Sequence, residues 1–188
     1  MIFENFTKQA LRTESVIDNA AINLPAFKSL LDIFITTGTL LDYFKKGIFY
    51  KNYSKYDENY ITLVNQLNDN VLEFIESNTN HERVDVDNLN FRLVHGLLGC
   101  ITESSEVAEH LLKYLEDGTI DRVGISEEAI GDIGWYQAIL VDELKIDHTQ
   151  ALTNVINKLK VRFPEKYSDD LAANRNTGKE REKLEEKI

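Results

Sequence analysis

Cysteine, proline and glycine are scarce in this chain, and so is positive charge. One cysteine, Cys100, in 188 residues excludes an intramolecular disulfide and points to a reducing compartment, the cytoplasm. Two prolines and nine glycines are too few to punctuate the many turns of an all-β or α/β chain. Lys and Arg number 21 against 32 Asp and Glu, for a net charge of -11. A protein that grips a phosphate backbone needs a basic footprint, so this balance argues against a nucleic acid polymer as partner. It argues equally against a basic membrane-surface helix. No apolar run approaches the roughly 18 residues of a membrane span, so no segment is expected to cross a membrane and no membrane partner is expected. The opening residues, MIFENFTKQ, lack the basic-then-apolar order of a signal peptide.

What is present is helical. The composition, 43% hydrophobic and 28% charged, is that of a globular chain, and its length fits one domain. Apolar residues recur at spacings of three, four and seven. Examples are Leu30, Leu31, Phe34, Leu40, Leu41 and Phe44, then Ile61, Val64, Leu67, Val71, Leu72 and Ile75. This is the helix period. The pattern predicts helices over about 4–11, 25–50, 58–76, 91–116, 127–144 and 149–163, with a polar tail over 166–188 that can add a last one. Ser126 is the expected N-cap of the fifth. The fold class read here is all-α, with four long helices in two hairpins forming a four-helix-bundle core.

Carboxylates mark the fourth and fifth helices. Glu103 and Glu106 are three residues apart and project from one face. His95 lies about two turns earlier near that face. Asp132 stands in the apolar run AIGDIGWYQAIL, and a carboxylate there must be paired or hold a metal. Glu128, four residues earlier, shares its face. Four such groups brought together repel by about 3 kcal/mol per pair at roughly 5 Å, which a hard cation such as Mg²⁺, or Mn²⁺ in its place, relieves. Lys158 and Arg162, four apart on the next helix, then suit phosphates. The ordinary readings stand beside these. Glu-x-x-Glu is common on solvated faces, Asp132 suits an interhelix ion pair, and Lys158 and Arg162 suit a helix C-terminus. Trp135 and Tyr136 serve core packing or base stacking. Cys100 reads as a small buried apolar residue.

The stretches HGLLGCITESSE, EEAIGDIGWY and NKLKVRFPEKY, on successive helices, together resemble the MazG-like all-α nucleoside triphosphate pyrophosphohydrolases, and AANRNTGKER resembles the tail of phage-type members. The resemblance covers about 91–181. It implies Mg²⁺-dependent hydrolysis of a dNTP or NTP to monophosphate and pyrophosphate. Glu103, Glu106, Glu128 and Asp132 would be the metal ligands, with Glu106 as the residue orienting the water. Lys158, Arg162, His95, Trp135, Tyr136 and Arg175 would surround the nucleotide substrate. It also implies a core assembled from helix pairs, compatible with a homodimer. The family's second motif has Glu three residues before its Asp. Here that position is Ala129, and Glu128 stands about 40° round the helix. This departure motivates the alternative of a catalytically weakened, nucleotide-binding or protein-interaction protein without turnover.

The first half reads as a worn copy of the second. Thr36 and Thr39 fall where Glu103 and Glu106 fall, and Asp69 falls where Asp132 falls. Residues 25–77 are thus expected to form a degenerate hairpin beside the metal-binding hairpin and phosphate-binding helix of 91–165, all within one domain. Threonines cannot replace anionic ligands, so one metal site per chain is expected.

Overall fold

The computed structural model describes residues 2–15, 17, 19–50, 54–79 and 82–185. Among the described residues the chain is all-α apart from one pair of two-residue strands. It divides into two compact units, residues 19–87 and residues 1–18 with 88–188. The last three residues of the polar tail lie outside the described residues.

The first unit is a long helix hairpin. Strand β1 (Ala21–Ile22) leads into α2 (Leu24–Tyr50), which α3 (Ser54–Thr79) follows before strand β2 (Val84–Asp85). The strands pair antiparallel, Ala21 with Asp85 and Ile22 with Val84, and tie the open end. Three contacts fix the helices as antiparallel. Asn23 Nδ2 donates to the Ser77 carbonyl at 3.0 Å, Asn70 Nδ2 donates to Thr36 Oγ1 at 3.0 Å, and the Tyr43 and Tyr60 rings lie 4.8 Å apart. The inner positions follow a three-four rhythm: Ala26, Ser29, Ile33, Thr36, Leu40, Tyr43 and Gly47 on α2, and Tyr60, Leu63, Leu67, Asn70, Phe74 and Ser77 on α3. That is the seam of a coiled coil, and the buried Thr36–Asn70 pair sets its register as a polar seam residue does. Thr36 and Thr39 bond back to the carbonyls of Asp32 and Ile35. By length and composition, Leu24–Phe49 would suffice to cross a membrane. Counting uninterrupted apolar residues missed this, because Lys28, Asp32 and Asp42 break the run without lowering the mean much.

The second unit begins with α1 (Ile2–Ala10) and a 3-10 turn at Leu11–Thr13. It resumes with α4 (Phe91–Asp117), α5 (Arg122–Ser126) and a π-helical segment (Glu127–Asp132). After these come α6 (Ile133–Glu143), α7 (His148–Arg162), α8 (Asp169–Ala173) and α9 (Thr177–Leu184). Helix ends carry matching chemistry. Asn90 caps α4 by accepting from the Leu93 amide, and α4 ends at Gly118 with φ 75°, a left-handed position that favours glycine. Asp147, Ser168 and Asn176 cap the later helices in the same way. Ser126 is no cap. Asp121 takes that role five residues earlier, accepting from the Val123 and Gly124 amides, so the helical path starts before the expected 127.

Helix α4 packs closely on α6 because Gly96 and Gly99 lie at the crossing. A Cβ on Gly99 would stand 2.0 Å from Tyr136 Cδ1, and one on Gly96 would stand 2.7 Å from Leu140. Ala138 and Ile139 on α6 are buried. Arg92 braces the base of this pair, donating to both Glu14 oxygens at 2.7 and 2.8 Å and to Glu143 at 2.8 Å, with Asp142 at 2.9 Å. The tail is not loose. Asn154 of α7, fully buried, donates to the Leu184 carbonyl. Glu180 of α9, 3% exposed, takes Arg162 and Arg175 together.

Candidate cation-binding site

Helix α4 and the π-helical segment bring the carboxylates together. One oxygen each from Glu103, Glu128 and Asp132 lies within 4.8 Å of the others. Glu106, one turn from Glu103, is near enough to repel and hydrogen-bond Glu128. Glu128 and Asp132 both lie in the π-helical segment. The Ile133 amide bonds the Glu128 carbonyl five residues back, so each residue advances less round the axis than in an α-helix, and the angle between Glu128 and Asp132 departs from the α-helical one. Such local widenings of a helix are frequent at functional sites.

Crowding shows in the proton affinities. Burial, the Glu106 charge and hydrogen bonds with Glu103 and Glu106 push the Glu128 carboxyl up to about 7. Burial and then Glu106 also raise Glu103, against which the hydrogen bond from Glu128 works. With its pKa at about 7, Glu128 carries a proton part of the time near neutral pH, and its O–H can then donate to the Glu103 carboxylate. Oxygen donors, mostly carboxylate, are what hard divalent cations take, so Mg²⁺ or Mn²⁺ fits this donor set, and its charge would replace that proton.

A hollow of about 270 Å³ beside the cluster is lined by Glu103, Asp132, Trp135 and Tyr136. Trp135 is held by its indole N–H, which donates to Thr13 Oγ1 at 3.0 Å. The His95 ring meets Trp135 and Tyr136 edge-on at 5.7 and 5.4 Å. Burial, then Glu103 and Asp132, raise the Tyr136 hydroxyl pKa. A larger cleft, about 770 Å³, opens between α1 and the α6–α7 turn. Its Glu4, Lys8, Asp142, Lys145 and Asp147 mix both signs, so the carboxylate cluster is the more defined chemical centre.

The expected phosphate-binding group is arranged differently. Lys158 is half-buried on α7. Arg162 donates to Glu180 Oε1 at 2.9 Å, and Arg175 donates to Glu180 Oε2 at 2.7 Å. These two arginines, in turn, hold the Glu180 carboxyl down at about 2. The sequence reading missed Glu180 because it lies in a stretch of uniformly polar composition; Asn176, three residues before Lys179, was the available helix-start signal. It also missed the Arg92 network, whose members are far apart in the chain.

No protein-family model matches this sequence, and no solved structure matches it. The transcription antitermination protein NusB of Clostridium tetani is 28% identical to it over 122 residues, 60% of this chain and 75% of that protein. This similarity overturns the resemblance to the MazG-like pyrophosphohydrolases, and with it the assignment as a nucleotide-hydrolysing, magnesium-dependent enzyme. A nucleotide substrate loses its basis too. So does the exclusion of nucleic acid polymers, since the similar protein serves transcription. The physical reason for the error is that each motif was weak alone. Carboxylates on neighbouring helices and a Lys–Arg pair on a third are arrangements that many helical folds produce.

Proposed function

We propose that this chain is a non-catalytic binding protein that acts in the control of transcription termination, in the cytoplasm, and that its carboxylate cluster holds a divalent cation. The observation that carries this reading is the similarity to a transcription antitermination protein over 122 residues. Two features of the site support binding without turnover. The arginines best placed by sequence to steady a polyphosphate are engaged by a buried carboxylate. The cluster also accepts a proton near neutrality, so it is a set of groups whose charge a ligand completes. A cation there would offer phosphate oxygens a coordination position on an otherwise acidic surface, through which a chain of net charge -11 can meet the phosphates of a transcript. Trp135 and Tyr136 form the wall of the hollow on which such a ligand would rest.

The test is a terminator read-through assay with purified bacterial RNA polymerase and Mg²⁺, run beside a nucleotide panel read for pyrophosphate and phosphate. Read-through should rise with protein concentration while no nucleotide is consumed beyond transcription itself. Unchanged read-through, with or without the other factors of an antitermination complex, would refute the reading. Protein-dependent release of pyrophosphate would refute the absence of turnover.

A further inference from the structure

The α2–α3 hairpin is finished on one side and unfinished on the other. Positions one residue before each inner seam residue are mostly polar: Lys28, Asp32, Thr39, Asp42 and Lys46 on α2, and Asn59, Thr62, Gln66, Asp69, Glu73 and Glu76 on α3. Positions one residue after it are mostly apolar. On α2 they are Leu30, Phe34, Leu41, Phe44 and Ile48; on α3 they are Ile61, Val64, Val71 and Ile75. All nine are between 37% and 64% exposed. Each step along a helix turns the side chain by about 100°. The helices are antiparallel, so one step forward on both rotates toward the same side of the hairpin. The nine side chains therefore form a single two-helix face, which repeats in the same three-four rhythm as the buried seam.

The face has a pattern of its own. Its rhythm places Thr37 and Asn68 on it, both exposed. They lie at nearly one level, because Thr36 bonds Asn70 directly across the hairpin. Leu30, Phe34, Val71 and Ile75 lie to one side of this polar centre, and Leu41, Phe44, Val64 and Ile61 lie to the other. A two-fold axis through the centre places polar on polar and apolar on apolar. That is the condition for an isologous interface, in which one patch serves both partners.

We infer that this face is a self-association surface, on which the hairpin of a second copy of the chain packs to complete a four-helix layer pair. A flat two-helix layer is complemented by another such layer, as in helical bundles. The area suffices. A helix of this length runs about 40 Å and two neighbours span about 20 Å in width. Each partner therefore contributes about 800 Å², the contribution of a standard stable interface. Thr37 and Asn68 set the register, as a single polar seam residue does in coiled coils.

Sedimentation equilibrium of the full chain at micromolar concentration tests this. The expected mass is twice the 21.6 kDa of one chain. The Leu41→Glu/Ile75→Glu variant should sediment at the single-chain mass with unchanged helical circular dichroism. Thr39→Glu/Gln66→Glu, on the polar side, should remain at double mass. A second measurement does not depend on the glutamate variant folding. In a Cys100→Ser background, Thr37→Cys should be joined between chains by a short bismaleimide, and Gln66→Cys should not. A wild-type chain at single mass would overturn the inference, because the face is then covered by something other than a second copy. Double mass that survives in the Leu41→Glu/Ile75→Glu variant, or cross-linking equal at both cysteine positions, would overturn it as well.

Discussion

Replacing Glu180 by glutamine isolates the ion pair that closes the C-terminal helices. The substitution keeps the shape and removes the charge that Arg162 and Arg175 share. Glu180 is 3% exposed and the Arg162 side chain 15%, whereas Arg175 is 45% exposed. Breaking a buried pair costs about 3–5 kcal/mol, because the remaining charge is left without its partner. Arg175 can turn to water and recover most of its share, so the cost falls mainly on Arg162, which also sits 5.7 Å from the Phe163 ring. The net loss is then about 3 kcal/mol. For a chain of this size that is roughly 6–12 °C in Tm, measured by calorimetry at pH 7 with Glu182→Gln as an exposed control. The pH dependence has a definite sign. The folded-state pKa, about 2, lies below the ordinary 4.5, so the contribution is present above 4.5 and fades as pH falls toward 2. The gap between wild type and variant should therefore narrow between pH 5 and pH 2. A Tm change at pH 7 no larger than that of Glu182→Gln, or a gap independent of pH, would show that Glu180 does not lock the two arginines.

Three other outcomes are expected. Gly99→Ala gains about 1 kcal/mol of helix propensity, but its Cβ, 2.0 Å from the Tyr136 ring, forces α4 and α6 apart at a cost of about 1–3 kcal/mol or more. Urea unfolding should show net destabilisation with a shifted Trp135 emission, and a neutral or stabilised variant would refute the close approach. Glu128→Gln should weaken divalent-cation binding and yet stabilise the cation-free protein at pH 8 relative to wild type. The raised pKa of about 7 means that folding is penalised progressively as pH rises from 4.5 through 7; melting temperatures at pH 5 and pH 8 decide it, and an equal effect at both would count against a shared proton. Trp135→Phe removes the bond to Thr13 and should cost about 1 kcal/mol, read by chemical denaturation; Thr13→Val should cost a similar amount and add little in the double variant.

The helices were legible where their ends carried chemistry. Asn90 and Gly118 bracket α4 within a residue of the expected 91–116, and the three-four rhythm of α2 and α3 announced the hairpin. That rhythm also contained the second, exposed seam, which becomes visible only once the inner seam is known. Membership of the carboxylate cluster was readable for Glu103 and Asp132 from spacing and context. The true relation of Glu128 to Asp132 was not, because a π-helical widening leaves the apolar periodicity almost unchanged and depends on which amide finds which carbonyl. Asp121 outcompeted Ser126 as a cap because it satisfies two amides at once. Arg162 and Arg175 read as phosphate ligands because their partner, Glu180, lies 18 and 5 residues away in a segment too polar to suggest burial. Function was the least legible layer, since carboxylates and cations of the same spacing serve structure, metal binding and catalysis alike.

Mn²⁺ titration followed by electron paramagnetic resonance, in the cation-free protein at pH 7.5, addresses the cluster most directly. One bound Mn²⁺ per chain is expected, displaced by excess Mg²⁺, accompanied by a change in Trp135 fluorescence, and lost in Asp132→Asn and Glu103→Gln but retained in Glu127→Gln. Absence of bound Mn²⁺, or binding that survives both Asp132→Asn and Glu103→Gln, would contradict a cation site at these carboxylates.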